Sequence, residues 1–473
     1  MIFKIQRKLE SGLWSVAVAV GIHVAAPEMA QAAEVDVTPV LQVSEIYTDN
    51  VNLASNDEEE DFITQIAPGI SYSRTAPRLD FALDYQFEAL WYANESDHNE
   101  TYHQAEALGE AVAIPEWFFV KAGAGYTQEV ISSEAPISVN NISVTDNRTD
   151  VATLTINPYL HHRFNDQLVM RAEYQIDRVE YDEDRLSDGS RRHSLVRFGN
   201  APDMKYRWGL LASHRVLTAD DREDSVLDKW SIFLGHRFST RLSIGLEAGY
   251  EDNEYGGVDD VLEEDGSVWL ANAEWTPNTQ TNMTASLGHR LFGTTFDLSV
   301  ARETNVGQFR VSYSEDYTSE IERIAVVDAE RIDAETVQFT TTTALDNEVY
   351  LSRRLRGGWS HERGRTGVEL YGYGEQREYQ ITEDEEDLAG AGARWSWRVA
   401  PRTTLLTDGE LQRREFRGVD RRDYLGYVSL GLERRMTQRM LGTLRYQYTE
   451  RDSTIDSSDY QQNMIFLTAR AEF

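Results

Sequence analysis

The chain contains no cysteine. Disulfides and thiolate metal sites are therefore excluded, although an exported protein would be allowed the former. Proline is scarce as well, ten in 473 residues, and no Pro/Gly/Ser-rich linker or compositional break divides the sequence. A length that would ordinarily suggest two or three domains thus reads as one. Long apolar runs are missing too: nothing beyond the N-terminus approaches the roughly eighteen apolar residues of a transmembrane helix. Positive charge is in deficit, with 46 Lys and Arg against 80 Asp and Glu, net −34. That balance excludes nucleic acid as a partner.

The signatures of enzymes are absent in the same way. There is no G-x-S-x-G elbow, phosphate loop or dinucleotide fingerprint, and paired carboxylates are too numerous to signify. His98, His103, His161, His162, His193, His214, His236, His289 and His361 are scattered, without His-x-x-x-His spacing or a fixed carboxylate partner. No catalytic residue and no cofactor is expected, and no metal ligand set can be assigned.

What is present begins with Lys4, Arg7 and Lys8, an apolar run from Leu13 to Ala26, and the small-residue site Ala30-Gln-Ala32. This reads as a cleaved secretory signal over residues 1–32, leaving 33–473 as the mature chain. The chain's other end is Ile465-Phe-Leu-Thr-Ala-Arg-Ala-Glu-Phe473. Ile465, Leu467, Ala469, Ala471 and Phe473 fall on one face and Phe466, Thr468, Arg470 and Glu472 on the other. Period-two alternation ending on an aromatic residue is how the closing strand of an outer-membrane β-barrel reads. Phe473, Ala471 and Leu467 are accordingly the expected assembly signal, facing lipid and read by the outer-membrane assembly machinery.

The same alternation recurs along the chain. Leu168, Met170, Ala172, Tyr174 and Ile176 alternate with Val169, Arg171, Glu173, Gln175 and Asp177. Leu242 to Tyr250, Trp269 to Trp275 and Tyr424 to Leu432 give further apolar faces. A Lys or Arg on the lipid face near mid-bilayer costs about 2–4 kcal/mol, so the charged face must be wet. Because only alternate residues meet lipid, the 27% of charged residues is compatible with a membrane protein.

Two kinds of connection divide these segments in strict turn. Ten are short, such as Thr75-Ala-Pro-Arg78, Ala201-Pro-Asp203 and Ala400-Pro-Arg402. Eleven, ten of them longer and acidic, fall near 48–60, 94–100, 131–148, 182–190, 218–225, 252–266, 291–295, 320–346, 380–387, 417–422 and 452–459. Together they join twenty-two strands, within a range of 20 to 24. The expected fold is all-β: a single transmembrane antiparallel barrel with short periplasmic turns and long acidic extracellular loops. Trp91-Tyr92, Trp117-Phe-Phe119, Tyr206 with Trp208, and Trp395 with Trp397 sit where strands meet turns, as interfacial girdles do.

The eleven long-side connections hold 41 acidic and 8 basic residues, so one rim carries −33 of the −34. The densest runs define an acidic mouth: Asp57, Glu58, Glu59, Glu60 and Asp61; Asp259 and Asp260; and Glu383, Asp384, Glu385, Glu386 and Asp387. Such a rim keeps the surface solvated and disfavours anionic solutes. It could also bind Ca²⁺ or Mg²⁺ and so bridge to lipopolysaccharide phosphates. The loop 320–346 is different in kind, mixing apolar and charged residues near helical spacing. It is expected either to fold into the lumen and narrow it or to pack over the rim. Strand character begins by Val35, with no globular segment ahead of it to serve as a plug. This argues against an energised nutrient receptor, the usual owner of twenty-two strands.

Tyr47-Thr-Asp-Asn-Val-Asn-Leu53 and Phe62-Ile-Thr-Gln-Ile-Ala-Pro-Gly-Ile-Ser-Tyr72 open the mature chain. With His289-Arg-Leu-Phe-Gly-Thr-Thr295 and Tyr313-Ser-Glu-Asp316, they resemble the outer-membrane barrel proteins associated with the PEP-CTERM/exosortase system and found beside exopolysaccharide loci. The resemblance implies a barrel in the outer membrane of a Gram-negative bacterium, in a setting of polysaccharide export. It carries over no catalytic or binding residue. The expected function is a passive channel or accessory protein for polysaccharide export, with lipid, lipopolysaccharide and export components as partners. The alternative is a non-conducting surface barrel that binds cations, matrix or lipopolysaccharide.

Overall fold

The computed structural model describes residues 33–258, 261–325 and 347–473. The expected signal, 1–32, lies outside the described residues. From Glu34 the chain runs as β1 (Glu34–Thr48), β2 (Asp61–Ala76), β3 (Leu79–Tyr92), β4 (Glu100–Ile114), β5 (Phe118–Val130) and β6 (Arg148–Arg163). It continues as β7 (Leu168–Tyr181), β8 (Gly189–Asn200), β9 (Tyr206–Ala219), β10 (Ser225–Ser239), β11 (Leu242–Gly256) and β12 (Val261–Asn278). Next come β13 (Thr281–Arg290), β14 (Gly293–Thr304), β15 (Gly307–Thr318), a six-residue helix α1 (Glu320–Ala325), β16 (Tyr350–Arg363) and β17 (Thr366–Tyr379). The last five strands are β18 (Glu385–Ala400), β19 (Thr403–Phe416), β20 (Arg421–Arg435), β21 (Met440–Ser453) and β22 (Tyr460–Glu472).

Every strand pairs antiparallel with its sequence neighbours, and β1 also pairs with β22, from Val40 opposite Glu472 to Thr48 opposite Met464. The sheet is closed. Closure removes the free edge, and with it the row of unpaired N–H and C=O groups that no bilayer could satisfy. At the seam, the Phe473 amide adds a bond to the Pro39 carbonyl at 3.0 Å.

Facing follows from the two-residue period. Leu467 and Phe473 are 60% and 64% exposed on the outer surface, whereas Gln462 and Met464, of opposite register, are buried inside. Trp208, Trp275, Trp359, Trp395 and Trp397 are exposed near the short-turn end, Trp91 and Trp230 near the other. Among the described residues there is no single core. Four buried apolar clusters all lie at the long-loop end, between inserted loops and the wall.

Two loop boundaries differ from expectation. Strands β11 and β12 stay paired from Leu242–Trp275 up to Gly256–Val261, so most of 252–266 is hairpin rather than loop. Likewise β18 begins at Glu385, so Glu385, Glu386 and Asp387 are strand residues. Alternation of charged residues outside the bilayer reads as loop from composition, yet the ladder of backbone bonds simply continues.

Candidate functional site in the barrel mouth

The ten turns of the short-turn end contain two to five residues each. The opposite end is crossed by inserted segments. The first is the connection between β5 and β6, residues 131–147. Asn147 pins its base: the side chain accepts from the Ser132 amide at 2.8 Å and donates to the Ser132 and Pro136 carbonyls at 2.7 and 3.1 Å. Its middle then reaches the far side of the seam. Arg451 donates to the Ser133 carbonyl at 2.9 Å, Tyr460 to the Ile137 carbonyl at 2.6 Å, and Gln462 to Ser143 Oγ at 2.9 Å. Ile142, 3% exposed, packs among Ile46, Val51, Ile63, Leu90, Tyr92 and Met464. A buried backbone segment needs such partners for its polar groups.

The second insert is α1. Ile321 is fully buried against Val151, Val179 and Tyr181 on β6 and β7, and a Cβ at Gly189 would lie 2.5 Å from its Cδ1. Glu322 lies 2.7 Å from Arg191 and 2.8 Å from Arg215, while Arg191 also pairs with Asp177 at 2.6 Å. The other side of the helix meets β16 and β17. Tyr350 donates to Glu320 at 3.1 Å, and Arg323 lies 3.5 Å from Glu375. Burial alone would raise the Glu322 carboxyl, but Arg215 and Arg191 outweigh it and hold the group at about 2. Of the two readings open for 320–346, its described part takes the lumen. Residues 326–346 lie outside the described residues.

Beside α1 the inner wall carries a buried charge ladder. Arg354 lies 2.8 Å from Glu375, Glu375 3.2 Å from Arg377, Arg377 3.2 Å from Glu386, and Glu386 3.2 Å from Arg414. On β20 and β21, Asp423 joins Arg421 and Arg451 at 3.1 and 2.8 Å. Removing one member of such a pair strands an uncompensated buried charge, which costs about 3–5 kcal/mol. None of this was visible in the sequence. Alternate charged residues on adjacent strands were the available signal, but their register was not.

The residues singled out from sequence fare unequally. Leu467, Ala471 and Phe473 share the outward face of the seam strand. Asp57, Glu58, Glu59 and Glu60 are exposed on the β1–β2 loop, where Glu59 accepts from Asn52 and Glu60 from Tyr47. Asp61 is fully buried instead. Its carboxylate accepts four backbone amides, those of Phe62, Ala93, Asn94 and Glu95, at 2.7 to 3.0 Å. Glu383 and Asp384 are exposed, Glu385 and Asp387 both hold Arg417, and Glu386 is buried in the ladder. Asp259 and Asp260 lie outside the described residues. The histidines do not converge, and among the described residues no group of three or more His, Asp or Glu is placed to hold a metal ion.

A closed antiparallel barrel with an apolar outer face and a polar lumen defines the class: the chain is an all-β, 22-strand barrel of the outer-membrane type. No family model and no curated protein matches the sequence. Solved structures do match. The FrpB iron transporter from Neisseria meningitidis aligns at a TM-score of 0.50 and 7% identity, covering 92% of this chain and 81% of that one. The siderophore receptor PirA from Acinetobacter baumannii gives 0.50 at 6% identity, covering 92% and 80%. The ferric enterobactin receptor PfeA from Pseudomonas aeruginosa gives 0.50 at 8%, covering 93% and 81%. At such identities the likeness is one of fold alone.

Proposed function

We propose that the protein is a gated passage across the outer membrane of a Gram-negative bacterium, serving export of a polysaccharide or related envelope component. One observation carries this reading: residues 131–147 and α1 fold into the long-loop end, held by ion pairs and hydrogen bonds to the wall as well as by buried Ile142 and Ile321. The polar contacts exchange for water when a segment lifts, which lowers the cost of opening. The opposite end, with its short turns, admits cargo. The class of cargo comes from the resemblance of Tyr47–Leu53 and Phe62–Tyr72 to barrels of exopolysaccharide loci.

A second reading, a closed surface barrel that does not conduct, is favoured by the same occupied mouth. Its exposed carboxylates at 57–60 and 383–384 would then serve contacts with cations, matrix or lipopolysaccharide. Reconstitution in planar bilayers separates the two. The gated passage gives small, intermittent current steps that enlarge when the mouth is loosened. Silence from the wild type and from mouth variants alike would sink it in favour of the closed barrel.

A further inference from the structure

Below the mouth, the lumen wall carries an arrangement that closure does not explain. Tyr371 and Tyr373 of β17 share the inward face with Glu375 and Arg377. Neither ring stands out into the lumen. Each lies across the adjacent strand β18, at positions occupied by glycine: a Cβ at Gly392 would come within 2.3 Å of the Tyr371 ring, and one at Gly390 within 2.4 Å of Tyr373. The two hydroxyls reach over β18 to β19 and donate to the two oxygens of Glu410 at 2.5 and 2.6 Å. Gln412 in turn donates to the Tyr373 hydroxyl at 2.8 Å.

Glu410 is buried at 4% exposure, whereas the two tyrosines keep part of their surface. One side of each ring thus rests on a glycine backbone and the other is left to the lumen. A ring that merely filled a core would bury both faces. Two residues along a strand separate the rings by about 7 Å, close enough for one short sugar chain to lie across both. Toward the short-turn end the stripe continues into an open cleft of about 720 Å³, lined by Gln308, Ser360, Glu369, Arg394 and Ser396. There Glu369 and Arg394 pair at 3.2 Å.

We infer that Tyr371 and Tyr373 form a shelf on which a neutral sugar chain stacks as it enters from the short-turn end. This deepens the proposed function and rests on it for the direction of travel. The apolar C–H face of a pyranose ring suits a flat aromatic face, and its hydroxyls suit the polar groups beside it. The charge balance selects the chain. Glu369, Asp408 and Glu410 are matched by Arg394, by Arg356 opposite Tyr373 and by Arg310 opposite Gly358, so this stretch of inner wall has no excess of either sign and suits an uncharged polymer.

Calorimetry on the purified barrel in detergent tests this, with cellohexaose as the neutral probe and a hexauronate as its anionic counterpart. Cellohexaose is expected to bind with Kd on the order of 1 mM. Tyr371→Ala/Tyr373→Ala weakens it by about tenfold, the contribution of two ring faces. Gly392→Ala, which keeps both tyrosines but forces the Tyr371 ring off the wall, weakens it too and serves where the double variant does not fold. The outward-facing control Tyr85→Ala leaves binding unchanged. Equal binding by wild type and both shelf variants, or no heat from the wild type, overturns the shelf. Tighter binding of the hexauronate overturns the neutral assignment. Binding does not depend on conduction: binding without bilayer current leaves the shelf and sinks the passage, and current without binding does the reverse.

Discussion

Glu322→Gln removes one charge from α1 while conserving side-chain volume, and its effect can be worked out from the mouth. Glu322 is 7% exposed and lies within 2.8 Å of both Arg191 and Arg215. After the change Arg191 keeps Asp177, but Arg215 is left buried without its carboxylate. Breaking a buried pair in this way costs about 3–5 kcal/mol. A second route gives a similar figure. Holding the carboxyl at about 2 instead of its ordinary 4.5 is equivalent to about 3 kcal/mol in favour of the docked helix. Burial of Ile321 contributes about 1.5–3 kcal/mol and the Glu320–Tyr350 and Arg323–Glu375 contacts remain, so the helix of the variant stays docked but more weakly. The chain has no cysteine. A single Ile324→Cys in that background, at a residue packed against the Val151, Val179 and Tyr181 cluster, therefore reports undocking through its labelling rate by a membrane-impermeant maleimide. In the Gln variant labelling should accelerate by at least tenfold, and bilayer current steps should lengthen. The pH dependence follows in sign. Because the docked pKa is depressed, the stabilisation is complete above about 4.5 and is lost as pH falls from there toward about 2. The Glu322 contribution should thus be constant between pH 8 and 5 and weaken only in stronger acid. Unchanged labelling and current in a normally folded Gln variant would refute the assignment of α1 as the gate.

Deleting Phe473 or replacing it with Lys should block membrane insertion and leave a degraded species, because the residue is the seam strand's exposed aromatic contact; recovery of normal heat-modifiable barrels would contradict this. Asp61→Ala should free the four amides it holds, destabilise the barrel by roughly 2–4 kcal/mol and expose residues 93–95 to hydrogen exchange, since bonds to a charged acceptor are the stronger kind. Glu383→Gln/Asp384→Asn should lower cation selectivity in dilute salt without altering heat stability, an effect that fades as the Debye length shrinks to about 8 Å near physiological ionic strength; an unchanged reversal potential would remove the rim from any role in selectivity. Glu386→Gln should do the opposite, reducing stability by about 3–5 kcal/mol because Arg414 loses its carboxylate while Arg377 keeps Glu375, as read from the melting of the purified barrel.

The sequence by itself determined the wall. A strand turns its side chains over every two residues, and lipid rejects charge from one of the two faces, so Ile465, Leu467 and Phe473 announce their facing without any partner. Turn chemistry such as Thr75-Ala-Pro-Arg78 marks where strands reverse, and twenty-one such reversals join twenty-two strands. What the lumen contains was decided by the tertiary structure. Ile142 meets Met464, and Glu322 meets Arg191, across more than a hundred residues of chain, and no local pattern specifies such a meeting. Composition also misleads at the rim. Asp61 and Glu386 belong to acidic runs indistinguishable from solvated loops, yet closure of the barrel turns both inward, one onto backbone amides and the other between two guanidinium groups. Tyr371 and Tyr373 were not singled out by the sequence at all. The glycines beneath them lie on the next strand, and it was the register of β17 against β18 that laid the rings flat against the wall.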